Sequence, residues 1–255
     1  MQIKKGIQPT RIYLLIRNTL VLKRLSILVI CSAVAGLVTC LSLMDASGSL
    51  EPQFHRNMYL FILFAGGIWL TSRTYRTFHD PVDGLSWLLL PASSLEKTLS
   101  TILLSNLVYI ACSLMVYFPL SFVSEGLNRL VLDRFHPVFN PFDPSVIRGI
   151  SLYFAAQAPF LIGAVYFKKH VLSKTILSMF LLLLFLGTAG AVSVWVILGN
   201  MLSGAGIQSV FEAILYSDVA GVNPVLFRSI KLFTLVGIPI VSWTICYFRH
   251  TETER

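Results

Sequence analysis

The chain has 255 residues, of which 55% are hydrophobic and only 13% charged. Soluble domains run nearer a quarter charged, so an ordinary soluble fold is excluded. The net charge of +8 sits in ones and twos beside apolar segments rather than on one basic face, which argues against a nucleic-acid partner and for a lipid bilayer.

Residues 10–24, TRIYLLIRNTLVLKR, interleave Ile12, Leu14, Leu15, Leu20, Val21 and Leu22 with Arg11, Arg17, Lys23 and Arg24. The mixture is too charged to span a bilayer and too apolar for a free tail. It predicts an amphipathic helix lying in the membrane interface; the plainer alternative is the N-terminal end of the first crossing. No cleaved signal peptide is expected, because the first apolar stretch begins late, is long and lacks a small-residue cleavage site before a soluble domain.

Six apolar stretches follow, at 25–44, 58–72, 98–124, 150–167, 175–198 and 232–248. About 20 residues at about 1.5 Å rise cover the hydrocarbon core. The first, third and fifth stretches meet this length. The second ends early at Arg73, although Arg73 and Arg76 can snorkel to lengthen it, and the fourth and sixth are near the lower limit. Five or seven crossings fit the same profile if the short stretches are read otherwise. The expected fold is thus an all-α integral membrane protein, one transmembrane domain over 1–255, with six transmembrane helices after an interfacial helix and both termini cytoplasmic.

Orientation comes from the basic residues. With the N-terminal side called inside, 14 of the 20 Lys and Arg lie inside (Lys4, Lys5, Arg11, Arg17, Lys23, Arg24, Arg73, Arg76, Lys97, Lys168, Lys169, Lys174, Arg249 and Arg255). Arg56, Arg129, Arg134, Arg148, Arg228 and Lys231 lie outside. Cytoplasmic loops retain Lys and Arg, so the 73–97 loop faces the cytoplasm.

Within the stretches, Ser32, Gly36 and Cys40 recur every fourth residue, as do Gly187 with Ala191 and Ala189 with Ser193. Such faces let helices approach closely, first of all within one chain. Ionisable residues are absent from the middles of the stretches, which weighs against proton-coupled transport. Gln157, Pro159 and Pro239 are the main polar or helix-distorting features, each more simply an interhelical contact than part of a pathway. The outer loop at about 125–149 carries Pro137, Pro141 and Pro144, which oppose a regular helix, and Phe135, Phe139 and Phe142, placed to rest at the interface. The second outer loop, 199–230, is Gly-rich and then apolar, a pattern for a segment that dips back into buried surroundings.

The chemistry of an isolated enzyme is missing. The sequence has no Walker pattern, nucleophile elbow or zinc-helix motif, and no cofactor is expected. Cys31, Cys40, Cys112 and Cys246 all lie in apolar stretches without metal-ligand spacing, so a disulfide framework is not expected. His55, His79, His136, His170 and His250 are scattered at segment ends on both sides, and no shared metal site is expected from them.

Between the second and third stretches the chain reads RTYRTFHDPVDGLSWLLLPASSLEKTLS. Asp80-Pro81 and Asp83-Gly84 form turns. Trp87 to Leu90 is an apolar run unsuited to open water, Pro91 breaks any helix, and Ser93 with Glu96 has the spacing of a capping box that starts the next. On the residues alone, a rigid cytoplasmic handle and a simple return into the membrane fit about equally.

The string from Gly84 to Lys97, G-x-x-x-LLLPAS-x-x-EK, resembles a signature of six-span permeases from Bacteroidetes-type bacteria, which are similar to the permease subunits of ABC-2 type transporters. YFKKHVLSKT at 166–175 and the YFR-plus-acidic tail at 247–254 extend the likeness, whereas the region between the fifth and sixth stretches does not match residue by residue. The resemblance implies a bacterial inner-membrane exporter subunit, paired with a second permease chain and a separate ATPase subunit that docks on the 73–97 loop. Asp80, Trp87, Pro91, Ser93, Glu96 and Lys97 are the coupling residues it implies: Trp87 as an apolar plug, Ser93 and Glu96 as the cap, Lys97 as a polar contact. The competing expectation is a polytopic protein that does not transport, such as a scaffold, sensor or immunity factor. An intramembrane enzyme ranks last, for want of polar clusters at depth.

Overall fold

A computed structural model of the chain describes residues 8–48, 50–74, 93–167, 170–198, 229 and 232–253. Among the described residues every regular element is helical. In chain order these are α1 (Pro9–Leu22), α2 (Arg24–Ser47), α3 (Phe54–Thr74), α4 (Ser94–Leu103), a π turn (Leu104–Val108), α5 (Tyr109–Leu132), α6 (Pro144–Tyr166), α7 (Val171–Leu198), a second π turn (Phe233–Gly237) and α8 (Ile238–Thr253).

The N-terminal segment is a helix of its own. α1 opens on Pro9, where the missing N–H costs nothing, and stops at Lys23, from which α2 starts afresh. It buries Ile12 and packs beside α4.

Four helices are long and apolar enough to cross a membrane: Arg24–Ser47, Leu95–Leu132, Pro144–Tyr166 and Val171–Ser193. The helix Phe233–Arg249 is apolar but shorter. α3 has 21 residues, about 31 Å at 1.5 Å each. His55, Arg56 and Asn57 extend it beyond its apolar run and dilute its hydropathy. Leu95–Leu132, at 38 residues, is about 57 Å long against a hydrocarbon core of about 30 Å. Its two ends therefore stand in polar zones.

α6 is the central helix, packed against α3, α7 and α8. It buries Val146, Tyr153, Ala155, Gln157, Ala158, Phe160, Leu161, Gly163 and Ala164. Its contact with α3 is close because Gly67 faces Tyr153: a Cβ there would lie 2.2 Å from the Tyr153 hydroxyl oxygen. Gln157 is an interhelical contact, its Nε2 donating to Thr71 Oγ1 (2.6 Å) and to the Ser105 carbonyl (3.1 Å). That carbonyl lies in the π turn, and it also accepts from the Tyr153 hydroxyl (3.0 Å). A widened turn frees carbonyls from the helical ladder for side chains of a neighbour.

Two expectations are corrected here. The small-residue faces of α2 and α7 do not pack within the described chain: Ser32, Gly36, Cys40, Gly187, Ala189, Ala191 and Ser193 are exposed. A Cβ at Gly36 or Gly187 would meet nothing within 4 Å. The outer loop is also shorter than its prolines imply. α5 continues through Glu125 to Leu132, because Glu125 and Asn128 are paired inside the bundle, and Pro144 sits in the first turn of α6 instead of opposing it. Asp143 caps that helix by accepting from the Ser145 N–H (2.7 Å), a bond that holds its carboxyl below the usual range. Phe135 and Phe142 are exposed as expected at an interface, but Phe139 is buried against Tyr59 and Tyr117. The 199–230 segment lies outside the described residues except for Ser229. None of the four cysteines is in a disulfide.

Candidate functional site

At one end of the bundle four chain segments converge on a single carboxylate. α2 contributes Ser42 and Asp45 from its last turns, α3 contributes His55 from its first turn, and α5 contributes Tyr117, Glu125 and Asn128. The fourth segment is the connection after α5. Asp133 takes a left-handed conformation (φ 53°, ψ 26°), which aspartate tolerates better than most side chains, and three residues on His136 returns beneath the helix end.

Glu125 is the hub. Its Oε1 accepts from Ser42 Oγ (3.0 Å) and Asn128 Nδ2 (3.0 Å), and it faces His55 Nε2 at 2.6 Å and His136 Nδ1 at 3.3 Å. Its Oε2 accepts the His136 backbone N–H at 2.5 Å. Asn128 Nδ2 also donates to Ser42 Oγ (2.7 Å). These groups are almost wholly buried, with His55 2%, His136 1% and Glu125 5% exposed. A buried carboxylate persists only where donors replace its water, and this one has them on both oxygens.

The far sides of the two imidazoles are also held. His136 Nε2 lies 2.7 Å from Asp45 Oδ2, and the same carboxylate oxygen accepts the Glu51 N–H (2.8 Å). The Tyr117 hydroxyl donates to the His55 carbonyl (3.0 Å), so it accepts from His55 Nδ1 (3.3 Å). Phe54 stacks on His136 at 5.2 Å, and Tyr59, Tyr117 and Phe139 form an aromatic floor below the polar groups. His55 Nε2, His136 Nδ1 and a Glu125 oxygen form a set of ligand atoms that lie within 4.8 Å of one another.

The scatter expected for the histidines therefore does not hold for His55 and His136, whose rings are 5.9 Å apart. The third apolar stretch ends at residue 124, one position before the hub, and the signal in the sequence is an acidic residue followed three positions later by Asn128 at the end of that stretch.

The opposite end carries Ser93 to Lys97, the last residues of the permease-like motif. Asp80, Trp87 and Pro91 lie outside the described residues. Ser93 and Glu96 form the predicted capping box: Ser93 Oγ accepts from the Glu96 N–H (3.3 Å), and Glu96 Oε2 accepts from the Ser93 N–H (2.9 Å). Glu96 also reaches out of its own helix. Its Oε1 accepts the Gln8 N–H (2.9 Å), at the start of α1, and Arg11 lies 3.9 Å from Oε2. Lys97 is buried beside it, and its carbonyl accepts from Ser100 and Thr101.

Comparison with protein-family models, with curated proteins and with solved structures finds no match to this chain.

Proposed function

We propose that this chain is the membrane-spanning subunit of an ATP-driven exporter of the ABC-2 type, with six crossings in a bacterial inner membrane and a second permease chain as partner. α3 and the Phe233–Arg249 helix supply the two crossings beyond the four long apolar helices. Both termini and the 73–97 loop face the cytoplasm, where a separate ATPase subunit docks.

The observation that supports this reading is the double use of Glu96. One carboxylate closes the capping box of the helix that leaves the coupling loop and also fixes Gln8, the residue that caps the N-terminal helix. A push delivered to the loop would reach α4 and α1 together, and through α4 the long Leu95–Leu132 helix that runs to the opposite end of the bundle.

Copurification tests it. Full-length chain extracted from native membranes should bring down an ATPase with its two nucleotide sites, and Trp87→Ala or Glu96→Ala should lower recovery several-fold. Glu96→Ala removes a buried acceptor of three contacts, worth about 1–3 kcal/mol, and should raise hydrogen exchange in α1 while leaving α6 unchanged. Extraction that never recovers an ATPase sinks the proposal.

Sidedness is tested separately. In a cysteine-free background, a cysteine at position 87 should resist an impermeant maleimide added to intact cells. One at the exposed position 142 should react. Reversed labelling overturns the orientation and the exporter assignment with it.

A further inference from the structure

We propose that His55, His136 and Glu125 bind one divalent transition-metal ion of the zinc class, with Asp45 and Tyr117 as outer partners that aim the two imidazoles. The site does not depend on the exporter reading, since it lies at the end of the bundle away from the permease-like motif.

The first argument is convergence. Three ligand atoms, two imidazole nitrogens and a carboxylate oxygen, come from three separate segments and lie within 4.8 Å of one another. Zinc bonds of about 2.0–2.2 Å require ligand atoms about 3.4 Å apart in a tetrahedral site. His136 Nδ1 is already 3.3 Å from Glu125 Oε1. His55 Nε2, at 2.6 Å, would move outward by less than an ångström. Imidazole with carboxylate suits zinc and its neighbours rather than calcium or magnesium, which take all-oxygen shells.

The second argument is the outer shell. A metal-bound histidine usually donates its other ring N–H to a carboxylate, backbone carbonyl or water, which fixes its tautomer. His136 Nε2 meets this condition at Asp45, and the Tyr117 hydroxyl gives His55 Nδ1 a comparable polar partner. Each ring therefore turns its remaining nitrogen toward Glu125.

The third argument is the support of the shared ligand. Glu125 Oε1 stands between the inward nitrogens of both rings, and its carboxylate is fixed from outside the site. Ser42 and Asn128 keep their bonds to Glu125 and hold it in place.

The test uses tag-free, full-length chain in detergent micelles, stripped by chelator and titrated with Zn²⁺ by calorimetry and with Co²⁺ by visible absorption. One Zn²⁺ per chain is expected, with the intense Co²⁺ bands of a four-coordinate site. His55→Gln with His136→Gln should weaken binding at least 100-fold. Asp45→Asn, which leaves all three ligands in place, should weaken it about 10–100-fold. No binding by the unaltered chain overturns the site, as does full binding by the double variant, which would place Zn²⁺ on other histidines or on cysteines. If the double variant fails to fold, Asp45→Asn decides: unchanged Zn²⁺ affinity in that variant, with native helicity by circular dichroism, overturns the arrangement.

Discussion

Glu125→Ala is expected to cost about 3 kcal/mol or more of stability, since each buried donor left without an acceptor costs about 1–3 kcal/mol. The substitution takes the Glu125 acceptor from Ser42, Asn128 and the His136 N–H at once, in a region closed to water, while Asn128 keeps its bond to Ser42 and the two rings keep Tyr117 and Asp45. Glu125→Gln should lose less, because its amide oxygen still accepts on one side, although the NH2 that replaces the other oxygen cannot accept. Ser124 provides the control. Its hydroxyl is buried next to the hub, yet it has no hydrogen-bond partner among the described residues. Ser124→Ala should therefore lie within about 0.5 kcal/mol of the unaltered chain or stabilise it. Thermal and denaturant midpoints in micelles, measured with chelator present, report the hydrogen-bonded hub without any contribution from a bound ion. A Glu125→Ala loss below about 1 kcal/mol, or a Ser124→Ala loss equal to it, removes the hub from the account of this end of the fold.

The contrast between the two ends of the bundle explains what could be read from the sequence. The capping box of Ser93 and Glu96 was legible because both partners lie within one helical turn, and the N-terminal helix was legible because its charge pattern repeats locally. Apolar runs located the helices but cut them short. His55 and Arg56 on α3 and Glu125 to Arg129 on α5 continue helices whose hydropathy has already fallen. Those truncated ends hold the cluster. Its partners are separated by 70 residues between His55 and Glu125 and by 91 between Asp45 and His136, so no local spacing announces it. Seen singly, each is a polar residue at a segment end. The second role of Glu96 was hidden for the same reason, since Gln8 lies 88 residues away. The small-residue stripes misled in the other direction. Gly36 and Gly187 keep the spacing of a packing face, yet the close neighbours lie at other glycines, among them Gly66, Gly67, Gly149 and Gly163.

Gly163→Ala should be among the most damaging methyls added at a described glycine. It lies near the end of α6, where that helix meets the start of α7, and its added Cβ would stand 1.9 Å from Thr175 Oγ1 and 2.8 Å from both Thr175 Cβ and Cγ2. Thr175 is buried, and its hydroxyl donates to the Val171 carbonyl (2.8 Å), so rotation about χ1 exchanges one clash for another and breaks that bond. The helices must separate, opening the contacts of Leu161, Ala164 and Val171 with Cys246 on α8. Overpacking of this kind costs about 1–3 kcal/mol, and more where backbones must move. The same substitution at Gly187 meets nothing within 4 Å and should gain up to about 1 kcal/mol from helix propensity alone. Thr175→Ala added to Gly163→Ala removes the atom at 1.9 Å but leaves Cβ at 2.8 Å, so rescue should be partial. Midpoints in micelles that place Gly163→Ala and Gly187→Ala together, or a full rescue by Thr175→Ala, would mean that α6 and α7 are not held at this distance in the membrane.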